Sequence, residues 1–430
     1  MTGLVYQKAL LNYPTMAEVY STRSARHSRS ARRRRGVRAR VAFIASMGAI
    51  AFAAGFILLW SLGSWMVGGA GFPWNTEESI VASQVEIPAD TDYTIEPLVD
   101  LVALRDLSYT PVKGIYVSSD RAGISTYLNA LLDLADRTEI NAFVVDIKDD
   151  YGKLTYAADV PLAKEKGLID ERIDDVDAFI ATLSEHNIIP IARLVCFEDS
   201  FLAKARPDLA VMSSDGGLWA NRKGLNFTNP YSHEVWEYLV QVAEDAARHG
   251  FREIQFDYVR FPTDGPISKA RYPGEYCSKA DAIAGFLAYA RERLEKLGVW
   301  VSADVFGIVI QNTPDTDTIG QKVDKMSANV DIICPMVYPS HYYKGSYGLD
   351  NPDEQPYELV TAAMKETTQR LAGTGAMGRP WLKDDDYGVD YGVEEVKAEI
   401  KAAEDQGYDE WLLWNAGVKY TEGALRSEGS

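Results

Sequence analysis

Chemistry is most concentrated in the string Gln255-Phe256-Asp257-Tyr258, where an apolar run is interrupted by a carboxylate. Side chains alternate along a β-strand, so Gln255 and Asp257 share one face while Ile254, Phe256 and Tyr258 take the other. Ser302-Ala303-Asp304 repeats the pattern, with Ser302 and Asp304 on one face. Two carboxyl groups across a pocket are what hydrolysis of a glycosidic bond requires. One is protonated and gives its proton to the leaving oxygen; the other is ionised and acts as nucleophile or base. Asp257, with polar Gln255 and Arg260 nearby, suits the ionised role. Asp304, flanked by Val301, Ala303, Val305 and Phe306, suits the acid. Asp146 and Glu198 are reserves. The plainer role for Asp146 is a salt bridge to Lys148, which shares its face, or to Arg193.

Rival chemistries are weak. Of the five histidines, His27 lies in the N-terminal tail and His186, His233 and His249 belong to helices or their ends. Only His341, in Pro339-Ser340-His341-Tyr342, follows a candidate strand, and it reads as a sugar hydrogen-bond partner or a loop residue. One histidine cannot build a three-ligand zinc site, and neither H-E-x-x-H nor G-x-S-x-G occurs, so no metal or cofactor is expected. Cys196, Cys277 and Cys334 form no C-x-x-C and read as buried thiols. The long connection Glu198–Thr228 carries Trp219, Asn221, Arg222 and Phe227, and connections of that length in compact domains are usually functional. Trp219 is either a stacking platform for a sugar ring or a packing residue. Tyr116, Lys148, Arg193, Glu198, Trp219, Asn221, Arg260, Tyr338, His341 and Asn415 make up the expected substrate-binding set.

The elements that must hold these residues are legible as short β-branched runs alternating with amphipathic stretches. Eight strands are expected: Lys113–Val117, Ala142–Ile147, Ile189–Val195, Glu253–Val259, Val299–Asp304, Asp331–Tyr338, Arg379–Leu382 and Glu410–Trp414. Between them, Ser232–Arg248 places Val235, Leu239, Val242 and Ala246 at helical spacing, with Ser232 as N-cap and Gly250 as stop. Val393–Ala403 is a second helix, ending near Gly407. Eight strand–helix units in one series predict a single (β/α)8 TIM barrel over residues 111–425, with its site at the C-terminal strand ends.

The first 110 residues differ. Residues 1–40 hold Lys8 and nine arginines against Glu18, a net of +9, so the remainder carries −27 of the total −18. A body that acidic repels nucleic acid, which is therefore no expected partner. Val41–Val67 is a 27-residue apolar stretch without charge, whereas about 20 residues cross a bilayer. With the arginines before it, this predicts a single-pass signal-anchor, a cytoplasmic tail 1–40 and an extracytoplasmic stalk 68–110. The alternative is a cleaved signal peptide with Gly69-Ala70-Gly71 as its site and a secreted barrel. No feature specifies an oligomer.

Taken together, Val144–Gly152 (VVDIKDDYG), Ile191-Ala192-Arg193, Phe227–Pro230 (FTNP), Phe256–Pro262 (FDYVRFP), Val337–Tyr342 (VYPSHY) and Trp414-Asn415 resemble the bacterial glycosyl hydrolase domain family long carried as a domain of unknown function. The resemblance spans residues 112–425 and implies a TIM barrel acting on a polysaccharide. Members commonly continue Pro-Trp-Leu with Gln-Asp-Phe. Here Pro380-Trp381-Leu382 leads into Lys383-Asp384-Asp385-Asp386, so no seventh-strand site residue is carried over. A non-catalytic glycan-binding or envelope scaffold protein is the competing function. Paired carboxylates favour the enzyme, and an arginine holding them favours the binder.

Overall fold

The computed structural model describes residues 109–311 and 316–427. The tail 1–40, the span Val41–Val67 and nearly all of the stalk 68–110 lie outside the described residues. No described helix is long and apolar enough to cross a membrane.

Eight parallel strands close on themselves. They are β1 (Lys113–Val117), β2 (Ala142–Lys148), β3 (Ile189–Val195), β4 (Glu253–Asp257), β5 (Trp300–Phe306), β6 (Ile332–Met336), β7 (Trp381–Lys383) and β8 (Trp411–Trp414). Each pairs with its sequence neighbour, and β1 pairs with β8, as in Lys113↔Trp411. The closing edge is interrupted: Met377–Gly378 pair with Ile332–Ile333, Pro380 has no N–H to give, and pairing resumes at Trp381↔Met336. Apart from Lys113, Ile189 and Trp300 at their starts, the strands are buried, because helices cover them outside and side chains fill them inside.

Six longer helices lie outside: α1 (Ser125–Ala135), α2 (Val176–Glu185), α3 (His233–Arg248), α4 (Lys279–Leu294), α5 (Pro356–Leu371) and α6 (Val393–Asp405). In α3 the apolar spacing does what periodicity requires: Val235, Leu239, Val242 and Ala246 are all buried, and the Ser232 hydroxyl accepts the Val235 N–H. Between β5 and β6 the ring thins to two four-residue helices, Thr316–Ile319 and Val323–Met326.

At the floor, the N-terminal ends of the strands, Arg379 is fully buried. It donates to both Glu253 oxygens at 2.9 Å and to Glu410 at 2.9 Å. Ser302 donates to Glu253 and Tyr109 to Glu410. Two carboxylates, one guanidinium and two hydroxyls thus bond one another.

Candidate active site

At the opposite end, the C-terminal strand ends, stands a second buried arginine. Arg193, on β3, is 1% exposed. Its Nε and Nη2 donate to Asp257 Oδ2 at 3.0 and 2.6 Å, Nη1 to Asp146 Oδ1 at 2.5 Å, and Nη2 to Asp150 Oδ1 at 3.1 Å. One cation therefore serves three carboxyl groups from β2, the loop after it, and β4. Asp257 Oδ1 also accepts the N–H of Tyr258 at 2.6 Å. That bond accompanies a left-handed backbone at Tyr258, φ 49°, a strained conformation for a bulky residue. The strand expected to reach Val259 accordingly ends at Asp257.

The surrounding carboxyls differ in protonation. Burial pushes Asp146 up to about 6, against the opposing charge of Arg193, while the Tyr116 hydroxyl donates to its Oδ2 at 2.5 Å. Burial and then the charge of Asp257 hold Asp304 well above the usual carboxylate range, with the Trp381 indole N–H on its Oδ1 at 2.8 Å. Burial also raises Asp150, whose side chain is the most open of the set at 23%. Glu198, just beyond β3, is driven by burial to about 8.

The remaining expected residues divide. Tyr116 packs against Trp414 with ring centroids 4.2 Å apart and planes tilted by 34°, and belongs to the cluster through Asp146. Arg260 lies between the Tyr258 and Phe306 rings, 4.7 and 4.8 Å from their centroids. Tyr338 meets the His341 ring edge-on, and His341 stacks on Tyr387 at 5.7 Å. Burial, then the charge of Lys383, lowers His341 to about 3, so its ring is neutral. Asn415 braces the loop after β8, donating to the Asp384 carbonyl and accepting the Gly417 N–H. With Asp384–Tyr387 and Lys419–Thr421 it lines a cavity of about 400 Å³.

Three expectations are corrected. Lys148 does not share the face of Asp146, because a register shift between them sets Lys148 beside Leu194. Its ammonium, fully buried, is occupied by the Val195 carbonyl at 2.7 Å and Asp199 at 2.9 Å, which leaves nothing for a substrate. Trp219 offers no stacking face. It is 1% exposed, packs edge-on against Phe227 and donates its indole N–H to the Pro266 carbonyl. Asn221 is likewise inside its loop, its carbonyl accepting from Lys223 and Leu225 and its amide donating to Glu198. Asp150 was not among the expected residues, although the pair Asp149-Asp150 directly after a strand was its signal. Asp149 builds the turn instead, accepting the N–H groups of Tyr151, Gly152 and Lys153. Gly152 (φ 102°) admits no side chain, since a Cβ there would meet Asp199 at 1.9 Å.

Among the described residues, no group of three His, Cys, Asp or Glu side chains is arranged to hold a metal ion. The arrangement offers ionised and protonated carboxyls side by side, which is acid–base equipment for cleaving acetals.

Residues 114–420 match the family described as "Putative glycosyl hydrolase domain". A hypothetical protein from Ruminiclostridium thermocellum ATCC 27405 is 42% identical over 44% of this chain and 97% of its own, with a TM-score of 0.42. The PgaB (BpsB) glycoside hydrolase domain from Bordetella bronchiseptica is 13% identical, covering 71% of this chain and 94% of its own at a TM-score of 0.51, a likeness of fold. The spore cortex-lytic enzyme SleL from Bacillus cereus is 11% identical over 73% of this chain and 74% of its own, with a TM-score of 0.42. No curated protein matches the chain.

Proposed function

The chain belongs to this glycosyl hydrolase domain family, and from that premise we propose that it hydrolyses an envelope or extracellular polysaccharide by paired-carboxylate chemistry. The observation that carries the reading is a difference between neighbours: Asp257 is ion-paired with Arg193, whereas Asp304 is held in its acid form by burial and by the charge of Asp257. A carboxylate and a carboxylic acid in one mouth are the two reagents the reaction needs. Asp257 attacks the anomeric carbon or takes a proton from the attacking water, and a protonated carboxyl supplies the leaving oxygen. Asp146 and Arg193 orient Asp257, and Tyr338, His341 and Arg260 offer polar groups to the sugar.

The test is release of reducing ends from envelope and capsular polysaccharides by residues 105–430, with Asp257→Asn as control. Turnover that disappears in the variant is expected. Tight binding of a polysaccharide with no release would instead favour the glycan-binding scaffold, a reading to which Arg193's hold on both Asp257 and Asp146 lends weight.

The layout we propose is a cytoplasmic tail 1–40, an anchor 41–67, a stalk 68–110 and an extracytoplasmic barrel 111–425, supported by the arginines preceding the charge-free span. Protease added to intact cells should cut after residue 75 and spare residues 1–35. A mature N-terminus near residue 71 would replace the anchor with a cleaved signal and a secreted barrel.

A further inference from the structure

We infer that Glu198 is the proton donor of this site, the carboxylic acid whose hydrogen passes to the leaving glycosidic oxygen. The inference rests on the hydrolase reading and deepens it by replacing Asp304 in that role.

Glu198 lies three residues past the end of β3, and its backbone is fixed by a bridge to Phe227 across the long excursion. The carboxyl is 1% exposed. Its Oε2 accepts one hydrogen bond, from the Asn221 amide at 3.3 Å, and its Oε1 has no hydrogen-bond partner. Asp199, next in the chain, has a cation for its charge: Oδ2 is ion-paired with Lys148 at 2.9 Å, and Oδ1 caps the short helix Ser200–Ala205 by accepting the Leu202 N–H. Asp146 and Asp257 are likewise answered by donors. An ionised Glu198 would be a buried charge with an empty oxygen, which folded proteins avoid. A protonated Glu198 is a hydroxyl donor without an acceptor.

That missing acceptor is what a sugar oxygen supplies. Asp150 acts on Glu198 through its charge and is itself bonded to the guanidinium that holds Asp257, so Glu198 flanks the cluster. Burial pushes the acid up to about 8 against the charges of Arg260 and Lys223, with Asp150 and Asp264 adding to the rise, and this keeps the proton in place at neutral pH. Asp304 also accepts one N–H, from the Trp381 indole, but neither of its oxygens is a fully buried atom left without a partner, as Glu198 Oε1 is.

In the step itself the Glu198 O–H bond breaks and its proton joins the glycosidic oxygen. The bond from that oxygen to the anomeric carbon breaks, with the electron pair remaining on oxygen. The anomeric carbon gains its new bond from the Asp257 carboxylate or from water that Asp257 deprotonates. Glu198 regains a proton from the water consumed or from solvent.

The test compares Glu198→Gln with Asp304→Asn in the full-length protein. The probes are two leaving groups on the same sugar, glucose or N-acetylglucosamine: a 2,4-dinitrophenyl glycoside, which departs unaided, and the corresponding oligosaccharide. Glu198→Gln should lower the oligosaccharide rate by about 10²–10⁴-fold and the dinitrophenyl rate far less. The alkaline limb of the wild-type oligosaccharide profile, centred near 8, should vanish. Glu198→Asp should restore part of the rate and a limb, which a misfolded variant would not. Equal losses on both probes, or an unchanged limb, would overturn the assignment, as would leaving-group selectivity in Asp304→Asn alone. A wild-type protein inactive on both probes and on polysaccharides would sink the hydrolase reading itself.

Discussion

The barrel buries one arginine at each end, and the two are treated differently. At the floor, Arg379 meets Glu253 and Glu410, and Ser302 and Tyr109 bond the same carboxylates. At the mouth, Arg193 is divided among Asp146, Asp150 and Asp257, with Asp304 and Glu198 nearby in their acid forms. Both ends hold more carboxyls than cations; at the floor hydroxyl donors complete the set, whereas at the mouth Glu198 Oε1 is left without a partner. The count of donors against acceptors, rather than burial, distinguishes the two ends.

The largest effect should come from the mouth. Asp257→Asn removes the charge and keeps the shape, so kcat should fall by several orders of magnitude, while the unfolding midpoint should move less than on loss of Arg379 because Arg193 keeps Asp146 and Asp150. Unfolding of that variant would mean the mouth is scaffold too, and the contrast between the ends would collapse. The floor gives the next effect, of the opposite kind. Arg379→Leu strands two buried carboxylates and should cost about 3–5 kcal/mol in urea unfolding, with kcat intact in whatever remains folded. The smallest effect sharpens the boundary of the mouth. His341→Ala should raise KM a few-fold on polysaccharide and leave the pH–rate profile unshifted, because this ring titrates near 3. A moved limb would make His341 part of the proton traffic.

What the residues revealed in advance followed from periodicity. Buried parallel strands are written as short β-branched runs, so the eight were legible to within a residue or two at most ends, and the facing of Asp257 follows from alternation alone. Alternation fails at one bulge. Nothing around Ile147 announces it, yet it carries Lys148 away from Asp146 and onto Asp199. Long-range partners were equally hidden: the fate of Trp219 depends on Pro266, 47 residues further on, and that of Asp304 on Trp381, 77 residues away. A carboxyl's neighbours in sequence suggest its polarity, but the acid form of Glu198 depends on a loop closing over it.

The interrupted edge between β6 and β7 has a dynamic consequence. With Pro380 silent in the ladder, the Trp381 side chain bonded to Asp304 of β5 is a tie that bridges this edge from within. Burial and the Asp257 charge raise Asp304 although the Trp381 N–H favours its charged form, and a local opening of the edge would return its carboxyl to water and let it ionise. Ionisation would reward the open state more as pH rises from the ordinary carboxylate value toward the raised folded one, so rising pH would loosen this edge and falling pH tighten it. The barrel would then breathe at one place, and the proton count on Asp304 would set how often.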